Sequence, residues 1–201
     1  MNSKELEVAY ELALWKDDPW SPGGRERYLI AKDRFSKLLE HPWLKEVLAL
    51  GNIKVLDIGS GKGIGGVALT KSLMGKGTEA MLTMVDLRDS AVKASLKFAE
   101  EEGVKAEAYA MDALNVHKLG RYDIVLMYGA ILAHFNSWDV CRLFASASEA
   151  LAKKGVIIVE EFDRVYSIFM RGFKEVILEN PRPDNITLSF YVRYDPVTGS
   201  Y

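Results

Sequence analysis

From residue 53 onward, short apolar runs alternate five times with amphipathic stretches, and this rhythm constrains the fold more than any other feature of the chain. The runs "IKVLDI", "AMLTMVDL" (80 to 87), "VKAEAYAM" (104 to 111), "YDIVLMYG" (122 to 129) and "GVIIVEEF" have strand length and strand composition. Between them lie helical patterns: from after Lys62 to about Met74, from 89 to 102, and over Val140, Leu143, Phe144, Ala147 and Leu151, the last closed by Lys153, Lys154 and Gly155. Strand–helix alternation of this kind implies a parallel sheet with helices on both faces and right-handed crossovers. "YDIVLMYG" is apolar throughout, as a strand buried on both faces should be. Ligands on such sheets bind beyond the carboxyl ends of the strands, where strand order reverses.

Before residue 53 the pattern is helical. Leu6, Ala9, Tyr10, Ala13 and Leu14 share one helical face. "DDPWSPGG" breaks that helix, and Tyr28, Ala31, Phe35, Leu38 and Leu39 mark a second one up to His41-Pro42. The expected organisation is an N-terminal helical cap over residues 1–50 and a Rossmann-like domain over 51–201. Past the fifth strand, Val165, Ile168, Phe169, Phe173, Val176 and Ile177 predict another helix, and "NITLSFYVRYD" a sixth strand.

The 201 residues carry a net charge of -2 and are 49% hydrophobic, which suits a globular core and argues against a broad nucleic-acid surface. One cysteine, Cys141, excludes an internal disulfide and a cysteine-rich zinc site, and suggests a reducing compartment. The acidic start "MNSKELEVAYELALW" is not a signal peptide, and no run approaches the ~20 apolar residues of a membrane span. A cytoplasmic protein is expected.

The stretch "KVLDIGSGKGIGG" (54 to 66) carries the chemistry. Gly61, Gly63 and Gly66 spell G-x-G-x-x-G, a dinucleotide fingerprint. Gly59, Gly61 and Gly63 spell G-x-G-x-G instead. The strand-forming run stops at Ile58, so Gly59 opens the turn, and in that register Ile64 breaks the dinucleotide spacing. Asp57 at the strand end would repel a pyrophosphate and attract an ammonium group.

At this point the sequence resembles the class I S-adenosylmethionine-dependent methyltransferases. "VLDIGSGKG" matches that family's acidic-x-G-x-G-x-G motif, and Asp86 in "MVDLRDS" stands where the family puts an acid for both ribose hydroxyls. Asp112 in "AMDAL" stands where the family binds the adenine amino group, while "RYDIVLMYGAILAHF" and "ALAKKGVIIVEE" resemble the next elements. The resemblance implies a three-layer α/β/α sandwich on a mostly parallel, doubly wound sheet of six or seven strands, the last antiparallel strand missing or truncated. It implies S-adenosyl-L-methionine as cofactor, held by Asp57, Gly59, Ser60, Gly61, Gly63 and Asp86, with Leu87, Met111, Asp112, Ala113 and Tyr128 around the adenine and the cleft floor. Asp86 read alone is also a helix N-cap, although Asp89 suits that role better. Arg88 beside Asp86 invites an NADP reading, which Asp86 opposes by repelling a 2′-phosphate.

His134, past the fourth strand, is a general base, an acceptor-binding group or a loop histidine packed beside Phe135. Glu161 orients an acceptor or is an exposed carboxylate beside Glu160. Trp15, Trp20 and Tyr28 close a lid over an apolar acceptor pocket or anchor the helices to the core, and Arg25 is a candidate for the cofactor carboxylate. Tyr128-Gly129-Ala130-Ile131 replaces the Asn/Asp-Pro-Pro-Tyr of adenine and cytosine amino methylases, and Cys141 lacks the preceding proline of cytosine-C5 enzymes. A small-molecule acceptor is expected first and a protein second, with no nucleic acid, no metal and no membrane, and with homo-oligomers through the sheet edge as a possibility. The alternatives are an NAD(P)-dependent oxidoreductase and a non-catalytic cofactor-binding protein of the same fold.

Overall fold

The computed structural model describes residues 3–13, 15–162, 176–190, 195 and 197. Five strands form one parallel sheet: β1 (Asn52–Ile58), β2 (Glu79–Asp86), β3 (Ala106–Ala110), β4 (Tyr122–Met127) and β5 (Leu151–Val159). Their order is β3-β2-β1-β4-β5, so the chain winds outward from β1 on one side and returns to build the other. The reversal lies between β1 and β4, where Asp57 is level with Leu126.

The strand period of two divides the sheet's side chains between two cores. Val55, Leu82, Met84 and Ile124 face α4 (Ile64–Gly75) and the helices outside it, whereas Leu56, Ile58, Val85 and Val125 face α6 (Ser137–Glu149). Asp57 shares its face with Val55 and therefore points toward the start of α4. The three-layer α/β/α arrangement is the one expected.

Three N-terminal helices precede the sheet: α1 (Ser3–Leu12), α2 (Pro22–Leu38) and α3 (Pro42–Leu48). Ser21 caps α2 by accepting the Gly24 N–H at 3.0 Å, and Pro22 occupies the first turn, where its missing N–H costs nothing. Tyr28, Ala31 and Phe35 of α2 are buried in the α4-side core. α5 (Asp89–Glu101) covers the same face through Phe98 and Ala99. Arg88 takes its N-cap position and Asp89 lies inside the first turn, so Asp89 is not the cap expected of it.

Two boundaries differ from the sequence reading. The sixth helix ends at Glu149 with Ala150 as C-cap, and Lys153, Lys154 and Gly155 belong to β5. The β4–β5 register shifts between Tyr122–Leu151 and Ile124–Val156, so these three residues bulge from the strand. Val176 and Ile177, expected to end a helix, instead begin β6 (Val176–Arg182), which pairs antiparallel with β7 (Asn185–Phe190). The other residues of that expected helix lie outside the described residues. The expected sixth strand thus does not extend the sheet, since among the described residues β6 and β7 form a separate two-stranded hairpin. The turn that closes the chain's last expected stretch lies mostly outside the described residues.

Candidate active site

The turn after β1 consumes its own backbone donors. The N–H groups of Gly59 and Ser60 both donate to Val85 O, at 2.8 and 2.9 Å, and Gly63 N donates to Ser60 O at 2.9 Å. Gly61 N donates to Asp86 Oδ2 at 2.9 Å, and Gly66 N to Asp57 Oδ2 at 2.8 Å. Gly59 has φ +69, and a Cβ there would sit 2.2 Å from Ile131 Cδ1, so both backbone and neighbour demand glycine. Gly66 is required by Asp57: a Cβ would approach its Oδ2 to 2.6 Å. That explains the third glycine of the apparent dinucleotide fingerprint. It admits a carboxylate to the positive end of α4, the place a pyrophosphate would need. Gly63, the N-cap of α4, faces Met84 and Ser95 and does not line the cleft.

Asp57 is 1% exposed, and its Oδ1 is buried without a hydrogen-bond partner. Burial pushes its carboxyl up from 3.8 to about 7; the Gly66 N–H opposes the rise, Asp86 adds to it and Arg27 opposes it. An orphaned acceptor on the cleft wall fits a ligand that brings a positively charged donor.

At the end of β2, Asp86 accepts Arg88 N at 2.9 Å and Arg88 Nε at 3.0 Å on Oδ1. Arg88 is 2% exposed, lies 3.6 Å from Asp17 Oδ2, and stacks 3.6 Å from the centroid of Tyr10. Burial works against its charge, but Asp86, Tyr10 and Asp17 outweigh it and hold the guanidinium above its usual value. Burial raises Asp17, against Lys62 and Arg88. The N-terminal segment is thereby fastened to the loop after β2, where Ser3 Oγ also donates to Leu87 O at 2.9 Å and Ser90 bonds Glu7.

The end of β3 supplies Met111, Asp112 and Ala113 to the cleft wall, which Leu87 also lines. Asp112 Oδ1 caps the following 3-10 turn by accepting Leu114 N at 2.9 Å. At the end of β4, Tyr128 packs its ring against α4, and a Cβ on Gly65 would meet that ring at 2.8 Å. Arg27 lies over Tyr128, 5.0 Å from its centroid, and donates to Lys16 O at 3.1 Å. Ala130 takes a left-handed backbone, φ 60, a conformation that costs a non-glycine residue about 1 kcal/mol. It opens the 3-10 turn Ile131–His134, which brings His134 to the cleft with its ring 6.4 Å from Tyr10.

The structure thus gathers Asp57, Gly59, Ser60, Gly61, Asp86, Leu87, Met111, Asp112, Ala113, Tyr128 and His134 around one cleft of about 1480 Å³. Glu161 is not on its wall; one of its oxygens accepts Phe162 N at 3.0 Å. Glu160 holds Gly129 N at 3.0 Å and Arg34 at 3.3 Å. Arg25, expected at the cofactor, turns away to Glu102 at 2.5 Å, and Arg27 takes the wall position instead. Of the three lid aromatics, Trp15 reaches the cleft and meets Tyr10 edge-on at 4.6 Å. Trp20 bonds Glu101, and Tyr28 is fully buried with its hydroxyl donating to Glu102 at 2.7 Å, so both anchor the helices. Sequence reasoning missed Arg27, Asp17 and Lys62; Tyr10 and Leu6 were visible only as an apolar helix face. Among the described residues no cluster has a metal-holding arrangement, and no helix is long and apolar enough to cross a membrane.

A methyltransferase domain model matches residues 55–155, half of the chain. No curated protein matches the sequence. Among solved structures, PH0226 protein from Pyrococcus horikoshii OT3 superposes with a TM-score of 0.59 at 19% identity, over 86% of this chain and 73% of its own. An S-adenosylmethionine-dependent methyltransferase from Clostridium acetobutylicum ATCC 824 gives 0.52 at 20% identity, over 77% and 67%. Coclaurine N-methyltransferase, solved with N-methylheliamine and SAH, gives 0.52 at 16%, over 67% and 36%. The chain spans from 36% to 73% of the lengths of these three structures, and at such identities the likeness is one of fold. Family match and sheet order agree: the chain belongs to the methyltransferase domain family, in the class I fold that uses S-adenosylmethionine as methyl donor.

Proposed function

We propose that this chain is a methyltransferase that transfers the methyl group of S-adenosylmethionine to a small-molecule acceptor, with a protein side chain as the second candidate. One observation carries the reading. The turn after β1 spends its N–H groups on Val85, Asp86, Ser60 and Asp57, and presents carboxylates where a diphosphate would need donors. The same observation weighs against an NAD(P)-dependent oxidoreductase.

In this reading the unpartnered Oδ1 of Asp57 takes the donor's ammonium, and Arg27 its carboxylate. Asp86 takes the ribose hydroxyls, while Leu87 and Met111 cover the faces of the adenine. Asp112, with Oδ1 engaged by Leu114 N, offers Oδ2 to the adenine amino group. When bound, S-adenosylmethionine supplies an activated methyl: an acceptor lone pair forms the new bond to that carbon as the carbon–sulfur bond breaks, its electrons staying on the thioether. The chain's own task is to align the acceptor and exclude water. Tyr10 and Trp15, carried by the residue 1–50 cap over the 51–201 domain, serve the second purpose. His134 is the group on the wall suited to take a proton from an acceptor. With its single cysteine, the protein is read as cytoplasmic. The outer edge of β5, unpaired among the described residues, is where two copies would join.

Calorimetric titration with S-adenosylhomocysteine, beside NADP+, is the test. Heat with the first alone supports the reading, and heat with the second alone refutes it. Transfer of label from methyl-labelled donor to a metabolite extract then separates an enzyme from a non-catalytic binding protein.

A further inference from the structure

We propose that the acceptor is a small amine on an apolar or aromatic body, bound as its ammonium ion against Glu179. The inference rests on the donor assignment above, because it concerns the part of the cleft left once the donor is placed.

Sheet order makes the division. β1, β2 and β3 lie side by side on one flank, and the residues at or just after their carboxyl ends are assigned to the donor, together with Arg27 of α2 and Tyr128 after β4. The remaining wall is made by Phe135 and Phe162 beyond β4 and β5, by Trp15 of the N-terminal segment and, from the hairpin, by Ile177, Glu179 and Phe190. The cleft of about 1480 Å³ exceeds the roughly 300–1000 Å³ of a pocket for one small molecule, so a second ligand has room.

That wall is largely apolar and aromatic, with two carboxylates, Glu179 and Asp139. Glu179 is half-buried on β6 and is held across the hairpin by Ser189, whose hydroxyl donates to Oε1 at 2.7 Å. No arginine, lysine or histidine pairs with it among the described residues. Asp139, the other acid on this wall, already accepts Asn136 Nδ2 at 3.0 Å and Arg142 at 3.2 Å. Glu160 nearby is engaged by Arg34 and Gly129. Among the described residues, Glu179 is therefore the acid of this wall left to meet a cation. A half-buried carboxylate held in place by Ser189 offers a cation a fixed counter-charge, and the aromatic faces on the same wall favour cations as well. The same wall repels carboxylate and phosphate acceptors, and a neutral alcohol does not offset the charge. The ammonium must shed its proton before its nitrogen has a lone pair to give, and His134 shares the cleft as the base for that proton.

The test is calorimetry on the full chain saturated with S-adenosylhomocysteine, using matched arylalkyl amines, alcohols and carboxylates. The amines should bind about tenfold or more tightly than the alcohols, and the carboxylates least. Glu179→Gln should abolish that preference while its S-adenosylhomocysteine heat stays at the wild-type value, which also shows that it folds. Ser189→Ala, keeping the charge but loosening it, should retain part of the preference. Equal binding of amine and alcohol, no amine binding, or an amine preference that survives Glu179→Gln overturns the proposal. Absence of S-adenosylhomocysteine heat in the wild type sinks the donor assignment itself, and the amine proposal with it.

Discussion

Replacing Asp57 by asparagine should make the protein more stable and worse at its work. The side chain keeps its size and keeps an oxygen for Gly66 N, but loses a charge that the fold holds at 1% exposure. In the folded chain burial lifts this carboxyl from 3.8 to about 7. Above pH 7 the folded state must carry an ionised group that the unfolded state carries freely, so wild-type stability falls as pH rises from about 4 to about 7. A rise of that size corresponds to about 4 kcal/mol. The new amide leaves an unsatisfied N–H₂ in the same pocket, which costs about 1–3 kcal/mol. At pH 8 Asp57→Asn should therefore gain about 1–3 kcal/mol, a rise of about 3–9 °C in Tm for a chain of this size. At pH 4 the gain should vanish or reverse. S-adenosylhomocysteine should bind the variant about tenfold or more weakly at pH 8, because the ammonium loses its counter-charge. Urea and thermal melts from pH 4 to 8, with calorimetry on the same samples, measure both effects. A variant that melts at or below wild type at pH 8 refutes the buried-charge argument, and unchanged affinity refutes the assigned role.

Gly66→Ala should destabilise by about 1–3 kcal/mol in urea melts, because its Cβ would enter the space of Asp57 Oδ2 and Leu82, 3.0 Å away, in a packed interior. Gly75→Ala, at a helical site with nothing within 4 Å, is the control and should be neutral or gain up to about 1 kcal/mol. Asp86→Ala should lower S-adenosylhomocysteine affinity at least tenfold and, by leaving buried Arg88 with Asp17 alone, cost about 3–5 kcal/mol of stability; unchanged affinity would remove its ribose role. Tyr28→Phe removes the hydroxyl donated to Glu102 at 2.7 Å and should cost about 1 kcal/mol while leaving S-adenosylhomocysteine affinity intact. Lost affinity there would return Tyr28 to the cleft.

The sheet was legible because strands buried on both faces leave continuous apolar runs, and β4 is buried at all positions but Asp123. The gathering of Asp57, Asp86 and Asp112 at one cleft was legible for a related reason: they sit at or just beyond strand ends, where position along the chain fixes position in space. What failed was competition between local signals. Lys153, Lys154 and Gly155 have the chemistry of a helix end, yet they form a bulge, because Ala150 closes the helix and β5 must pair with β4. Val176 and Ile177 continue a helical spacing, but Pro183-Asp184 between Arg182 and Asn185 is a turn signal that favours a hairpin, and the hairpin is what forms. Arg25 and Arg27 stand two residues apart on one helix, hence on nearly opposite faces. Nothing local says which faces the cleft; the i, i+3 partnership of Arg25 with Tyr28, both meeting Glu102, settles it only once α5 is in place. Asp86 and Arg88 were weighed together only for how they would meet a 2′-phosphate; their pairing with each other needed the backbone turn between them.

That pairing has a kinetic side. The four hydrogen-bond positions of the Asp86 carboxylate are met by Gly61 N, Arg88 N, Arg88 Nε and, at 3.4 Å, Arg88 Nη2. A sugar diol arriving there must dislodge the guanidinium, which already touches Asp17 and Tyr10 of the N-terminal segment. If Asp86 takes the ribose as proposed, nucleoside entry is coupled to the seating of that segment, and exchange of spent for fresh donor should run no faster than the segment lifts.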